Sequence, residues 1–407
     1  MLGDLLMPRG SVAARLVALP RHQTRKLPMP PIRNVALIAA AALGLLAPAT
    51  ASAQPYDDGA YFAAADTLQQ RLDRYWNDKR GHYDGGGGGV EPMVNSLMLL
   101  GHAVAAMQGH TGPSRNDERA RKLALALVKG PFVTKPGHGQ PHAPGWTNSM
   151  DGRGTQHLVF DAEVVDGLVY AYRARKALGL PDGTVNAIRS AISRTARSSF
   201  WRYPTIRLNQ INWYALMYAA DATVTGNPAL LKRDFSAQLA RFARGAKTNF
   251  GPGLRFHYLP HMALNTPANV DSAEYANIVL SFTRFYTQAR RAGMAPIAAG
   301  HKRIISEWVE RAISGYWTHG GYMNWDSGLG FARWHQAKKL GLTQQALIGI
   351  ASAPSLSAPR YQRYAKYLFD RSLAFYARTA ERDGGIADPL FFNVHAVPQG
   401  PGSARLG

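Results

Sequence analysis

Arg207-Leu208-Asn209-Gln210-Ile211-Asn212-Trp213-Tyr214 opens the stretch that decides how this chain folds. A helical pattern carries it to Thr223, and Gly226-Asn227-Pro228 turns it into a second helical pattern ending at Ala246. It then breaks into Arg255-Phe256-His257-Tyr258-Leu259-Pro260-His261 and recovers as a helix through Asp271-Ser272-Ala273-Glu274-Tyr275-Ala276-Asn277. Two helices joined by a tight turn, then a long loop dense in amides, imidazoles and rings, make a helical hairpin with a rich connection. Binding and catalytic groups tend to collect on such loops, held in place by a rigid scaffold.

The same unit recurs outward from there. Upstream, helical periodicity predicts Phe62–Asp78, Met93–Met107, Asn116–Lys129, His157–Leu178 and Thr184–Phe200. From the opening stretch onward it predicts Gln210–Thr223, Pro228–Ala246, Ser272–Ala292, Ala298–Gly315, Gly330–Ala351 and Arg360–Asp383. Alternating strand patterns are scarce. Short Gly/Pro turns alternate with long loops near 130–154, 201–209, 247–270 and 316–329. An open solenoid should show a repeat period of 30–45 residues, and none is present. The expected fold is therefore all-α: an α/α toroid, an open or closed barrel of about six helical hairpins, with its long loops on one rim.

The first 53 residues are set apart from that fold. Basic residues precede an apolar run from Val35 to Leu46, and Ala51-Ser52-Ala53 supplies a small-residue cleavage site. This is the pattern of a secretory signal peptide removed after Ala53, with Met29 as a second candidate start. The run is too short for a membrane span of about 20 residues. The expectation is a secreted or periplasmic protein, off the membrane once cleaved, with residues 54–407 as one catalytic domain. The whole chain carries +21, and losing that leader leaves 41 basic residues against 25 acids, or +16. Such a charge steers anionic partners. There is no cysteine, so stability must come from the core. The basic residues are dispersed along helices and no nucleic-acid module is recognisable, so no nucleic-acid partner is expected. A monomer acting on an acidic polysaccharide is.

Three segments mix polar groups with aromatic rings, a combination suited to sugars, which present apolar C–H faces and hydroxyl edges. The first runs from Trp146 through Gln156 and His157, with Asp161, Glu163 and Asp166 following on a helix. The second is the opening stretch, with Asn212, Trp213, Tyr258 and Tyr275. The third is Tyr316-Trp317-Thr318-His319-Gly320-Gly321-Tyr322-Met323-Asn324-Trp325-Asp326, with His335 on the next helix. Trp146, Gln156, His157, Asn212, Trp213, Tyr258, Tyr275, Trp317, Asn324, Trp325 and His335 are the substrate-binding candidates.

Several chemistries fit poorly. His138/His142 and His257/His261 share a spacing of four, but Pro141 and Pro260 break any helix there and no HExxH glutamate is present. No metal site is expected. A serine elbow and a phosphate-cradling loop are both missing. Paired carboxylates for glycoside hydrolysis exist in principle among Asp151, Asp161, Glu163, Glu274 and Asp326. Asp161 and Glu163, two apart, face different sides of their helix. What the residues suit best is β-elimination on a uronic acid. Its C5 proton can be removed once the neighbouring carboxylate charge is offset, which calls for an amide or arginine neutraliser, a base, and an acid for the departing oxygen. Asn209, Arg255, His257, His261 and a tyrosine supply that set, and the chemistry requires no cofactor.

Asn209-Gln210-Ile211-Asn212-Trp213-Tyr214-Ala215, with the helix running on to Thr223-Val224-Thr225-Gly226-Asn227, resembles a motif of the α/α-toroid polysaccharide lyases. In those enzymes, the glucuronan and alginate lyases among them, an Asn-rich segment precedes a Trp-bearing inner helix. The likeness implies a lyase acting on β-1,4-glucuronan or, next, alginate. It makes Asn209 the carboxylate neutraliser, with Asn212 its understudy. The chain departs from the alginate lyase motif, which carries a histidine where Gln210 stands, so the base must come from His257 or His261. The acid is open among Tyr258, Tyr275, Tyr316 and Tyr322. Tyr322, in a Gly-flanked loop, is preferred over Tyr275, and Tyr316 is expected to pack. The alternatives from the residues alone are a toroid glycoside hydrolase using paired carboxylates, and a non-catalytic binder of acidic glycan.

Overall fold

Burial sorts the helices into two layers. In Ile211–Thr225 every side chain from Trp213 to Ala222 is buried, as in a helix enclosed on all sides. In Asp117–Lys129 the buried positions are Ala120, Leu123, Ala124, Leu127 and Val128, the single stripe of a helix lying on a surface. That outer helix is also capped. The Asn116 side chain accepts the Arg119 N–H at 2.9 Å, and Asp117 with Glu118 occupies the positive N-terminal turn.

The computed structural model describes residues 58–84, 91–129, 144–147, 149–150, 156, 158–202, 211–237, 240, 280–321, 340–353 and 355–382. In chain order the helices are α1 (Asp58–Leu72), α2 (Glu91–Met107), α3 (Asp117–Lys129), α4 (Leu158–Arg173), α5 (Asp182–Ala196) and the short α6 (Ser199–Arg202). They continue as α7 (Ile211–Thr225), α8 (Thr283–Arg291), α9 (Ala299–Tyr316), α10 (Leu340–Ser352) and α11 (Pro359–Arg382). A π-helical turn at Leu231–Phe235 follows α7, and all the described helices belong to one compact unit.

Helices α2, α4, α7, α8 and α10 pack one against the next and form the inner layer. Outside them, α3 packs on α2 and α4, α5 on α4 and α7, and α11 on α10, with α9 against α11. Helix α1 closes the outer layer. Its Tyr61 hydroxyl donates to Asp370 of α11 and accepts from Lys366 at 3.0 Å. Its Asp66 accepts the Ser114 N–H, in the turn between α2 and α3, at 2.7 Å. The last helix is thereby joined to the first hairpin, and the architecture is an α/α toroid.

The inner helices run the same way. Ser96, early in α2, donates its hydroxyl to the Glu163 carbonyl at 2.6 Å and accepts the Gly167 N–H at 3.1 Å, both in α4. Gly167 is what lets the two helices approach so closely, since a Cβ there would sit 2.3 Å from the Ser96 carbonyl oxygen. At the far end the last turns of all five inner helices surround one cavity of about 980 Å³, bordered by Met107, Arg173, Thr223, Arg291 and Ser352. The connections there are short turns. At the opposite, N-terminal end, Glu91 at the start of α2 accepts the Met150 N–H at 3.1 Å.

Sequence and structure differ in detail. The helix expected over Phe62–Asp78 ends at Leu72, followed by a 3₁₀ turn and an antiparallel pair, Trp76–Asn77 with His82–Tyr83. The Asn77 side chain accepts the Arg80 N–H at 3.1 Å, and Gly81 turns with φ of 69°. This local turn, together with the fully buried Tyr83, outweighs continued helix. Among the described residues no helix is long and apolar enough to cross a membrane.

Candidate functional site

At the N-terminal end of the ring, Asp161 in the first turn of α4 gathers three segments. Its carboxylate accepts the Trp146 backbone N–H at 2.6 Å, the Gln156 amide at 2.8 Å and the Trp201 indole N–H at 3.0 Å. Thr147 and Gln156 form a β-bridge, which folds the described ends of that segment together. Gly145 leaves room for the arrangement, because a Cβ there would lie 2.0 Å from the Gln156 amide nitrogen and 2.5 Å from Asp161. Burial pushes the Asp161 carboxyl up to about 7, while the three donors pull the other way.

Glu163, two residues on, faces elsewhere, as the spacing predicts. It is 2% exposed and hydrogen-bonded by Gln345 of α10. Burial first, and then the neighbouring Asp166, raises it to about 7. Asp166 is itself paired with Arg284 of α8, whose guanidinium lies 4.3 Å from the Phe285 ring centre. Burial raises Asp166 as well, with Arg284 opposing. Three inner helices thus share one internal ionic cluster, in which Glu163 Oε2 and Asp166 Oδ1 have no hydrogen-bond partner among the described residues. Arg284 was missed from sequence although a signal was present: a single cation inside the apolar run Leu280-Ser281-Phe282-Thr283-Arg284-Phe285.

The sequence candidates are distributed unevenly. Trp146 is 1% exposed, and its indole donates to the Leu127 carbonyl at 2.9 Å, so it presents no open face to a sugar ring in this structure. Gln156 is buried against Asp161. Trp213 is 6% and Trp317 5% exposed, and both belong to the hydrophobic core. Beside Trp213, Tyr214 packs edge-on against Trp201 at 5.1 Å, and Tyr218 donates to the Trp201 carbonyl at 2.8 Å. These four candidates are parts of the frame beneath the rim. For Asn212 and Tyr316 only the helical backbone is described, placing Asn212 in the first turn of α7 and Tyr316 at the end of α9. Asn209, Arg255, His257, His261 and Tyr322 lie outside the described residues, as do His157, Tyr258, Tyr275, Asn324, Trp325 and His335.

Among the described residues no three His, Asp or Glu side chains stand close enough together to share a metal ion. Of the described carboxylates at this end, Asp161, Glu163 and Asp166 are committed to the interior, and the half-buried Glu91 accepts the Met150 N–H. What they do chemically is hold the starts of α2 and α4 and the approach to α7 in fixed relation.

No family model matches the chain, and no curated protein matches it. Among solved structures it is similar to the cellobiose 2-epimerase from Bacillus thermoamylovorans B4167, at 10% identity over 79% of this chain and 88% of that one, with a TM-score of 0.49.

Proposed function

We propose that the protein is an exported polysaccharide lyase that cleaves a uronic-acid polymer by β-elimination, with β-1,4-glucuronan the first candidate substrate and alginate the second. One observation carries most of the weight. The inner helices are parallel, and the described residues bordering the polar-aromatic segments stand at one end of the ring: Trp146, Thr147 and Gln156 before α4, Trp201 and Asn212 around the approach to α7, and Trp317 after α9. Asn209 is two positions from the start of α7 in the chain. The net charge of +16 left once the expected leader is removed favours a polyanion.

In this reading Asn209 and Arg255 hydrogen-bond the uronate carboxylate, so that negative charge developing on it as the C5 proton leaves is stabilised. His257 or His261 takes that proton. The C4–O4 bond breaks as the C4–C5 double bond forms, and Tyr322 returns a proton to the departing oxygen. The paired-carboxylate hydrolase is weakened by the structure: Asp161 and Glu163 are buried and engaged, which leaves it Asp151, Glu274 and Asp326.

Digestion of glucuronan and alginate, followed by both ultraviolet absorbance of unsaturated ends and a reducing-end assay, separates the possibilities. A lyase raises both signals together. New reducing ends without the chromophore make it a hydrolase, and retention on a uronate matrix with neither signal makes it a binder.

A further inference from the structure

The cavity at the other end of the ring has a chemistry of its own. Of the described residues that border it Arg173, Arg284 and Arg291 are cationic, and no carboxylate is among them. Arg284 sits deep and is balanced by Asp166, but Arg173 and Arg291 have no acidic partner among the described residues and are exposed at the mouth. Arg173 lies 5.3 Å from the centre of the Tyr170 ring, which also lines the cavity. Gln288 Nε2 and Arg284 Nε, on residues that border the cavity, are buried and have no acceptor among the described residues.

Five converging helix C-termini would ordinarily make such a place negative. At three of the five ends glycine turns take up late carbonyls. Gly109 and His110 donate to Ala106 and Ala105 at 3.2 and 2.9 Å, Gly293 and Met294 to Arg290 and Ala289 at 3.1 and 3.0 Å, and Gly226 to Ala222 at 2.9 Å. The guanidiniums are the formal charges among the described residues that border the cavity. A volume of about 980 Å³ lies at the upper end of the range for small-molecule sites.

We propose that this axial cavity is a second binding site, remote from the rim, for a small ligand that carries an oxyanion, either a carboxylate or a phosphate, on a body of sugar size. Arg173 and Arg291 would hold the oxyanion at the mouth, and Gln288 would donate to it or to a neighbouring hydroxyl. The proposal is independent of the lyase reading.

Titration calorimetry of the purified protein at low ionic strength, with sodium glucuronate, inorganic phosphate and neutral glucose as probes, tests it. Glucuronate or phosphate should saturate a site that glucose does not fill, and the tighter of the two identifies the ligand class. The double variant Arg173→Ala/Arg291→Ala should weaken that binding by at least about tenfold, as loss of charge-assisted hydrogen bonds does. Both side chains are exposed, so its thermal midpoint should match the wild type; if it does not, Gln288→Leu takes its place with the same expected loss. Absence of saturable anion binding, equal binding of glucose, or undiminished binding in the variant overturns the proposal. Glucuronan turnover by the same variant is a separate readout, since its failure in the wild type as well would count against the rim chemistry and not the cavity.

Discussion

Asp161 illustrates how one side chain fixes a rim. Three N–H donors from residues 146, 156 and 201 meet on a carboxylate that is fully buried. Replacing it with alanine strands all three donors at about 1–3 kcal/mol each. Asp161→Ala is therefore expected to lose at least about 3 kcal/mol in urea unfolding, and a loss below about 1 kcal/mol would contradict the hub. Glu163 gives a pH signature. Its ordinary value is 4.5 and burial raises it to about 7, so the folded protein keeps a proton that the unfolded chain releases. Stability from this group is complete below its unfolded value and declines as pH rises through its folded one. Glu163→Gln should consequently lose less stability than wild type between acid and neutral pH, measured as thermal midpoint against pH. Spacing alone told that Asp161 and Glu163 diverge. It could not tell that Trp146 is a core wedge, because a tryptophan in a Gly/Pro-rich loop looks the same whether it docks inward or faces a ligand.

At the scale of the element, the inner and outer layers were legible where burial follows composition. The apolar sequence of α7, Trp213-Tyr214-Ala215-Leu216-Met217-Tyr218-Ala219-Ala220, admits only an enclosed helix, and the outer α3 announces itself by its single stripe. The end of α1 was not legible, because Asn77 and Gly81 compete locally with helix by making a turn. Nor was the reason for glycine at 167, which lies in a contact with α2 some seventy positions away. Gly167→Ala forces its Cβ against the Ser96 carbonyl and must part α2 from α4. Overpacking of this kind costs about 1–3 kcal/mol, so a midpoint shift of several degrees is expected, and an unshifted midpoint would mean the helices are not in that contact.

Across the whole molecule, the alternation of short and long connections carried the prediction of a toroid, and its physical basis is now plain. Inner helices run parallel, so the described turns from inner to outer helix all lie at one end of the ring, around the cavity. Which rim side chains meet is a different matter, since it depends on contacts between segments far apart in the chain that no local pattern encodes. The internal cluster of Glu163, Asp166 and Arg284 is of the same kind, joining two helices more than a hundred positions apart. The proposed rim chemistry and the proposed ligand of the arginine-lined cavity are two separable claims, and the first is the central one. The initial rate of unsaturated-end formation on glucuronan, for wild type and Asn209→Ala side by side, tests it most directly. The account predicts a measurable wild-type rate that falls by about 10²–10³-fold in the variant, as removal of an electrostatic stabiliser does, with the fold intact. Equal rates in the two proteins, or no unsaturated ends from the wild type on any polyuronate, would contradict it.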